Sequence, residues 1–191
     1  PDLYIPEIYI WTKPLKLADS QLTSEQFEEL NSFLIISRSI KAVCKSKNFP
    51  NWKVFTKSLF AWKDGESEIK RIFNKEFQVR SSASKDLSNI RKNIKSLQSE
   101  IQNNLNKIFQ NAQSKNWLQD NQLVWRDERL MLPMQSTHKR KVKGIIHSYS
   151  STGQTAFIEP MEIIEKNNEL SNLNLDEQIE IRRILRELTQ K

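Results

Sequence analysis

SKDLSNIRKNIKSLQSEIQNNLNKIFQNA, residues 84–112, contains neither glycine nor proline, and its apolar residues Leu87, Ile90, Ile94, Leu97, Ile101, Leu105, Ile108 and Ala112 recur at steps of three and four. That spacing is helical. One additional four-residue step, from Ile101 to Leu105, marks a heptad seam with a stutter, as in a coiled-coil arm. Ser84 stands where an N-cap is needed, and Asp86 falls in the first turn, where the helix dipole favours a carboxylate. An apolar stripe this long needs a partner.

Downstream the pattern changes. Leu123-Val124-Trp125 and Leu130-Met131-Leu132 flank Arg126-Asp127-Glu128-Arg129 as a hairpin; Val142 to Tyr149 and Gln154 to Ile158 read as two more strands joined at Thr152-Gly153. Pro160 then opens a second long helix, with Ile163, Asn167, Leu170, Leu173, Ile181, Ile184 and Leu188 as its buried stripe. Helix, strands and returning helix in that order predict an antiparallel pair of arms bearing a small β module. Charge agrees: the first arm has Lys85, Arg91, Lys92, Lys95, Lys107 and Lys115 against Asp86 and Glu100, whereas 161–191 is net acidic.

Upstream, residues 1–22 hold three prolines and read as an extended lead-in. Thr23 and Gln26 have capping-box spacing, followed by Phe27, Leu30, Phe33, Leu34, Ile40, Val43 and Cys44 on a helix that ends before Phe49-Pro50. A second helix is expected from Pro50 to Lys63, with Trp52, Phe55, Leu59 and Trp62 on one face and Gly65 as its stop; a short third carries Ile69, Ile72 and Phe73. The fold class is therefore mainly α with a small antiparallel β module. Boundaries fall at 1–80 (helical core segment), 81–116 (first arm), 117–160 (β module) and 161–191 (returning helix, with the pattern still running at Lys191).

The 191 residues carry a net charge of +7, which favours polyanion partners. No apolar stretch approaches a membrane span, no signal peptide opens the chain, and a lone Cys44 fits a reducing cytoplasm and a small core position. The start at Pro1 suggests a segment of a longer protein.

The basic run His138-Lys139-Arg140-Lys141-Val142-Lys143 is the leading nucleic-acid contact, since cations on a projecting loop neutralise phosphates without reading bases; the competing reading is a solvated hairpin loop. A second basic face lies on the first arm at Arg91, Lys92 and Lys95. His138 and His147 have no carboxylate or cysteine at metal-ligand spacing, so no metal site is expected, and His147 is placed as a strand residue bonded to the adjoining Ser-Thr-Gly segment. Ser150, Ser151, Thr152 and Gly153 read as a strand turn in preference to a phosphate cradle. Trp11, Trp52, Trp62, Trp117 and Trp125 sit by apolar faces or helix ends and read as core or staple residues. With no G-x-x-x-x-G-K-[ST] and three glycines in all, no catalytic residue is expected in this chain.

Two stretches resemble a known family: Val79-Arg80-Ser81-Ser82-Ala83-Ser84-Lys85-Asp86-Leu87 leading into Ile90-Arg91, and Met131-Leu132-Pro133-Met134 followed by Val142 through Pro160, VKGIIHSYSSTGQTAFIEP. With Asn167-Asn168-Glu169-Leu170 and Glu180 to Leu188, the chain resembles the second bacterial branch of MutS, which lacks the mismatch-reading domain, over about residues 23–191. The resemblance implies a helical core, long antiparallel lever helices and a β clamp-like tip. The clamp would hold nucleic acid by its backbone in DNA repair or recombination control. It implies DNA, duplex or branched, as partner, with ribosomal RNA as the alternative; apart from the resemblance, a plain coiled-coil assembly module is the competing class. It also implies a homodimeric parent, cytoplasmic, whose ATP and Mg belong to an ATPase domain outside these residues. Two positions depart from the family pattern: Asp127-Glu128 where the hairpin turn usually carries Gly, and Ser148 where an acidic residue is common.

Overall fold

The computed structural model describes residues 20–46, 61–127 and 129–191. The lead-in up to Asp19, most of the expected Pro50–Lys63 helix, Trp11 and Trp52 lie outside them. The elements are α1 (Ser24–Ser46), α2 (Lys63–Ile72), α3 (Lys85–Ser114), β1 (Val124–Arg126), β2 (Arg129–Gln135), β3 (Gly144–Tyr149), β4 (Thr155–Pro160) and α4 (Met161–Thr189). Among the described residues no helix is long and apolar enough to cross a membrane. Two compact units form, one from residues up to Ser88 plus Gln178–Lys191, the other from Asn89–Glu177.

In the unit 89–177 the strands make an antiparallel sheet of order β1-β2-β4-β3. Leu130, Leu132 and Met134 of β2 and Ala156 and Ile158 of β4 alternate onto one face, where they meet Ile94, Leu97, Ile101, Leu105, Phe109 and Ala112 of α3 and Ile163 and Leu170 of α4. Leu105 and Ile101 are both fully buried, so the stutter keeps the stripe on the core where a strict heptad would drift off it. Within this unit the helices run antiparallel. Arg91 early on α3 pairs with Glu177 late on α4 at 2.6 Å, and Glu100 further along α3 pairs with the earlier Lys166.

The other unit is helical. Its core joins Leu22, Phe27 and Leu34 to Ile69, Ile72, Phe73, Val79 and Leu87, and to Ile184, Leu185 and Leu188 of α4. The capping box forms reciprocally: the Thr23 amide donates to Gln26 Oε1 at 2.9 Å and the Gln26 amide to Thr23 Oγ1 at 3.3 Å. Ser84 caps α3 by accepting from the Leu87 amide at 2.9 Å while its own hydroxyl donates to Glu180 at 2.6 Å.

Several expectations need correction. Gly65 does not stop a helix but lies inside α2, and a Cβ there would sit 2.0 Å from the Trp62 ring, so it is the indole's packing that requires glycine. Pro160 ends β4, paired with Gly144, and α4 begins one residue later. Val43 is 51% exposed and Cys44 only half-buried, so neither is a core position of α1. Trp125 is 53% exposed rather than a core residue, whereas Trp62 and Trp117 pack partly against their cores as expected.

Candidate nucleic-acid interface

The basic run is a short, tied turn. Ser136–His138 forms one 3-10 turn, the Lys141 amide donates to the His138 carbonyl at 2.9 Å, and Ser136 Oγ donates to the Gly153 carbonyl at 2.5 Å. At its far end the Lys143 carbonyl accepts from the Met161 amide at 3.0 Å, satisfying one of the unpaired N–H groups that begin α4. Gly144 follows because the chain crosses β4 too closely for a side chain: a Cβ there would lie 2.2 Å from the Glu159 carbonyl oxygen.

This anchoring decides where the cations go. Lys141 and Lys143 line an open groove of about 460 Å³ together with Lys107 of α3, Lys115 just past its end, Trp117 and Glu162. Lys107 lies in the last turns of α3 and Lys115 in the turn that follows its end at Ser114. Four ammonium groups face one carboxylate, so the groove is strongly cationic. Trp117 is no base-stacking platform, because the Lys115 ammonium lies over its ring at 4.6 Å and the His138 ring packs at 6.5 Å. Lys139 turns the other way, its ammonium donating to the Tyr149 hydroxyl at 3.1 Å and lying 5.2 Å from the ring centre. Arg140 is exposed on the turn.

The second basic face is not drawn into this groove. Arg91 is engaged by Glu177, and Lys92 and Lys95 are exposed. Lys95 precedes Lys107 by twelve residues, about 18 Å along the helix axis. Spacing along the sequence missed Lys107 and Lys115 as partners of the turn; their charge near the end of the first arm was the available signal.

Sequence reasoning also missed Glu159, 1% exposed on β4. Its Oε1 accepts from Arg129 of β2 and from Asn167 of α4, both at 2.7 Å, and its Oε2 meets His147 Nε2 at 2.6 Å. Burial alone would raise the pKa of this carboxyl, but the hydrogen bonds from Asn167, His147 and Arg129, with the arginine's charge, hold it below the ordinary carboxylate value. His147 is thus bonded to Glu159 and not to the Ser-Thr-Gly segment. It can reach because the β3–β4 register shifts between Ile146 and Ser148, a bulge that re-aims the ring. The segment that follows satisfies itself: Ser150 Oγ accepts from the Thr155 amide at 3.1 Å, and Gly153 turns at φ +70°. Among the described residues no cluster of three or more His, Cys, Asp or Glu stands ready to hold a metal.

No family model matches the chain. Curated proteins do. It is 39% identical over 142 residues to Endonuclease MutS2 of Clostridioides difficile, covering 74% of this chain and 18% of that one. The same-named proteins of Alkaliphilus oremlandii (34% over 173 residues; 88% and 22% covered) and Carboxydothermus hydrogenoformans (34% over 178; 93% and 23%) match nearly the whole of it. The chain is a MutS relative. It spans about a fifth of the length of the curated relatives it matches. In this MutS relative the β1–β2 hairpin turn is opened by Asp127 at φ +47°, a left-handed conformation that Asp tolerates better than most side chains.

Proposed function

We propose that this chain is a non-catalytic nucleic-acid-holding segment of a MutS-type DNA-handling protein. Residues 1–80 serve as helical core, 81–116 and 161–191 as lever, and 117–160 as clamp. The observation that carries this reading is the convergence of Lys107, Lys115, Lys141 and Lys143 on one open groove. Ammonium groups on an open groove neutralise phosphates and release counterions, a mode indifferent to sequence. Kinship with the MutS2 proteins favours DNA, duplex or branched, as the ligand, and the parent protein would supply ATP chemistry elsewhere.

Replacing Lys107, Lys115, Lys141 and Lys143 by Gln tests it. Binding of the 191-residue chain to a labelled DNA duplex at low salt should weaken alike for different sequences, and the slope of log affinity against log salt should become shallower by up to about four. A folded variant with unchanged affinity and slope overturns the assignment and moves the contact to Arg140 or to Arg91, Lys92 and Lys95.

A further inference from the structure

The returning helix is net acidic over 161–191, yet its last turns are not. Between Gln178 and Lys191 the chain has Arg182, Arg183, Arg186 and Lys191 against Glu180 and Glu187. Arg183 alone engages both acids, with its guanidinium on Glu180 at 2.6 Å and also on Glu187. Arg182 and Arg186, one turn apart and exposed, have no carboxylate partner among the described residues. They line an open groove of about 620 Å³ with the Arg183–Glu187 pair and the side-chain amides of Gln21 and Gln190, Arg182 donating through Nε to the Gln178 carbonyl at 3.3 Å and keeping its terminal nitrogens for a ligand. Arg182, Arg186 and Gln190 are spaced i, i+4, i+8, so they form one ridge.

We propose that this ridge is a second nucleic-acid backbone contact, separate from the lysine groove and lying in the other compact unit. It rests on the nucleic-acid reading above for the class of its ligand. Two guanidinium forks flanked by amides suit phosphate, which Arg meets in bidentate geometry and amides meet without regard to sequence. An acidic protein is the poorer occupant. A protein interface draws its energy from buried aromatic or aliphatic anchors, and the groove offers Ile179 alone.

The test replaces Arg182 and Arg186 by Gln, in the native chain and in the four-lysine variant, leaving Arg183 to hold Glu180 and Glu187. Duplex binding is followed by fluorescence anisotropy across a salt series, with polyglutamate as competitor. In the native background the salt slope should become shallower by up to about two, and in the lysine variant the arginine exchange should remove much of the remaining binding. Unchanged affinity and slope in both backgrounds overturn the proposal, as does an arginine-dependent affinity for polyglutamate with none for duplex, or no duplex binding by the native chain. Loss through the arginines with no effect of the lysines supports this ridge and refutes the groove instead, so the two readings fail separately.

Discussion

His147 and Glu159 meet at 2.6 Å across the register shift of the β3–β4 ladder, joining an exposed edge strand to a carboxylate that is 1% accessible. With Arg129 and Asn167 the pair ties β2, β3, β4 and α4 together through one side chain. A buried carboxylate persists only when its oxygens are occupied, and here both are.

Removing that charge should therefore be costly. Glu159→Gln keeps one acceptor oxygen but removes the charge opposite Arg129 and puts an NH2 donor in place of the second oxygen, and should lower unfolding free energy by about 3–5 kcal/mol, measured by urea titration. A loss below about 1 kcal/mol would mean that the cluster adds nothing beyond shape.

Acid should act on the same group. Glu159 and Glu180 both have lowered pKa values, the latter chiefly through the hydrogen bond from Arg183. Glu68 is held down to about 2 by hydrogen bonds from Arg71 and Lys191, although its exposure lets solvent screen the effect. A depressed carboxyl stabilises the fold above its unfolded value of 4.5 and loses that contribution as pH falls through its folded value. Melting temperature should hold above that point and decline below it, with a shallower acid decline in Glu159→Gln. Parallel declines would assign the acid sensitivity elsewhere.

Gly144 and Gly153 separate contact from conformation. Gly144→Ala drives a methyl into the Glu159 carbonyl and should cost about 1–3 kcal/mol or more through displaced backbone. Gly153→Ala meets no neighbour but must hold φ +70°, for a cost of about 1 kcal/mol. Equal costs in denaturant titrations would show that the crossing at Gly144 relaxes freely.

The α3 seam offers the sharpest core test. Ile94, 9% exposed in the cluster of the sheet-bearing unit, should not accept a carboxylate, so Ile94→Asp should cost several kcal/mol, while Leu105→Ala should cost about 2–5 kcal/mol through the cavity it leaves. Unaltered thermal stability of either variant would show that this face is not closed in solution.

The elements were legible where one local rule governs them. The Thr23–Gln26 box, the Ser84 cap and the α3 stripe depend on residues within a few positions of each other, and all three form. Gly65 and Trp125 misled because their surroundings come from packing: Gly65 reads as a stop until the Trp62 ring is placed on it, and an aromatic on a three-residue strand gives no sign of which neighbour will leave it uncovered. The site divides likewise. Lys141 and Lys143 are visible as a run, but their meeting with Lys107 and Lys115 spans over twenty-five residues, and Glu159 is an ordinary strand acid until three elements deliver its donors.

The bulge at His147 also bears on how the protein keeps to itself. No strand lies beyond β3 among the described residues, and that edge exposes Ile145, Ile146 and Tyr149, a composition inviting addition of a strand from another copy and growth into aggregates. A kinked, unevenly spaced ladder is a poor template for such pairing, and Lys139, Arg140, Lys141 and Lys143 set like charges at the entrance to the strand. The cations proposed above to meet polyanions thus double as gatekeepers against edge pairing, and straightening the strand would expose the chain to its own β edge.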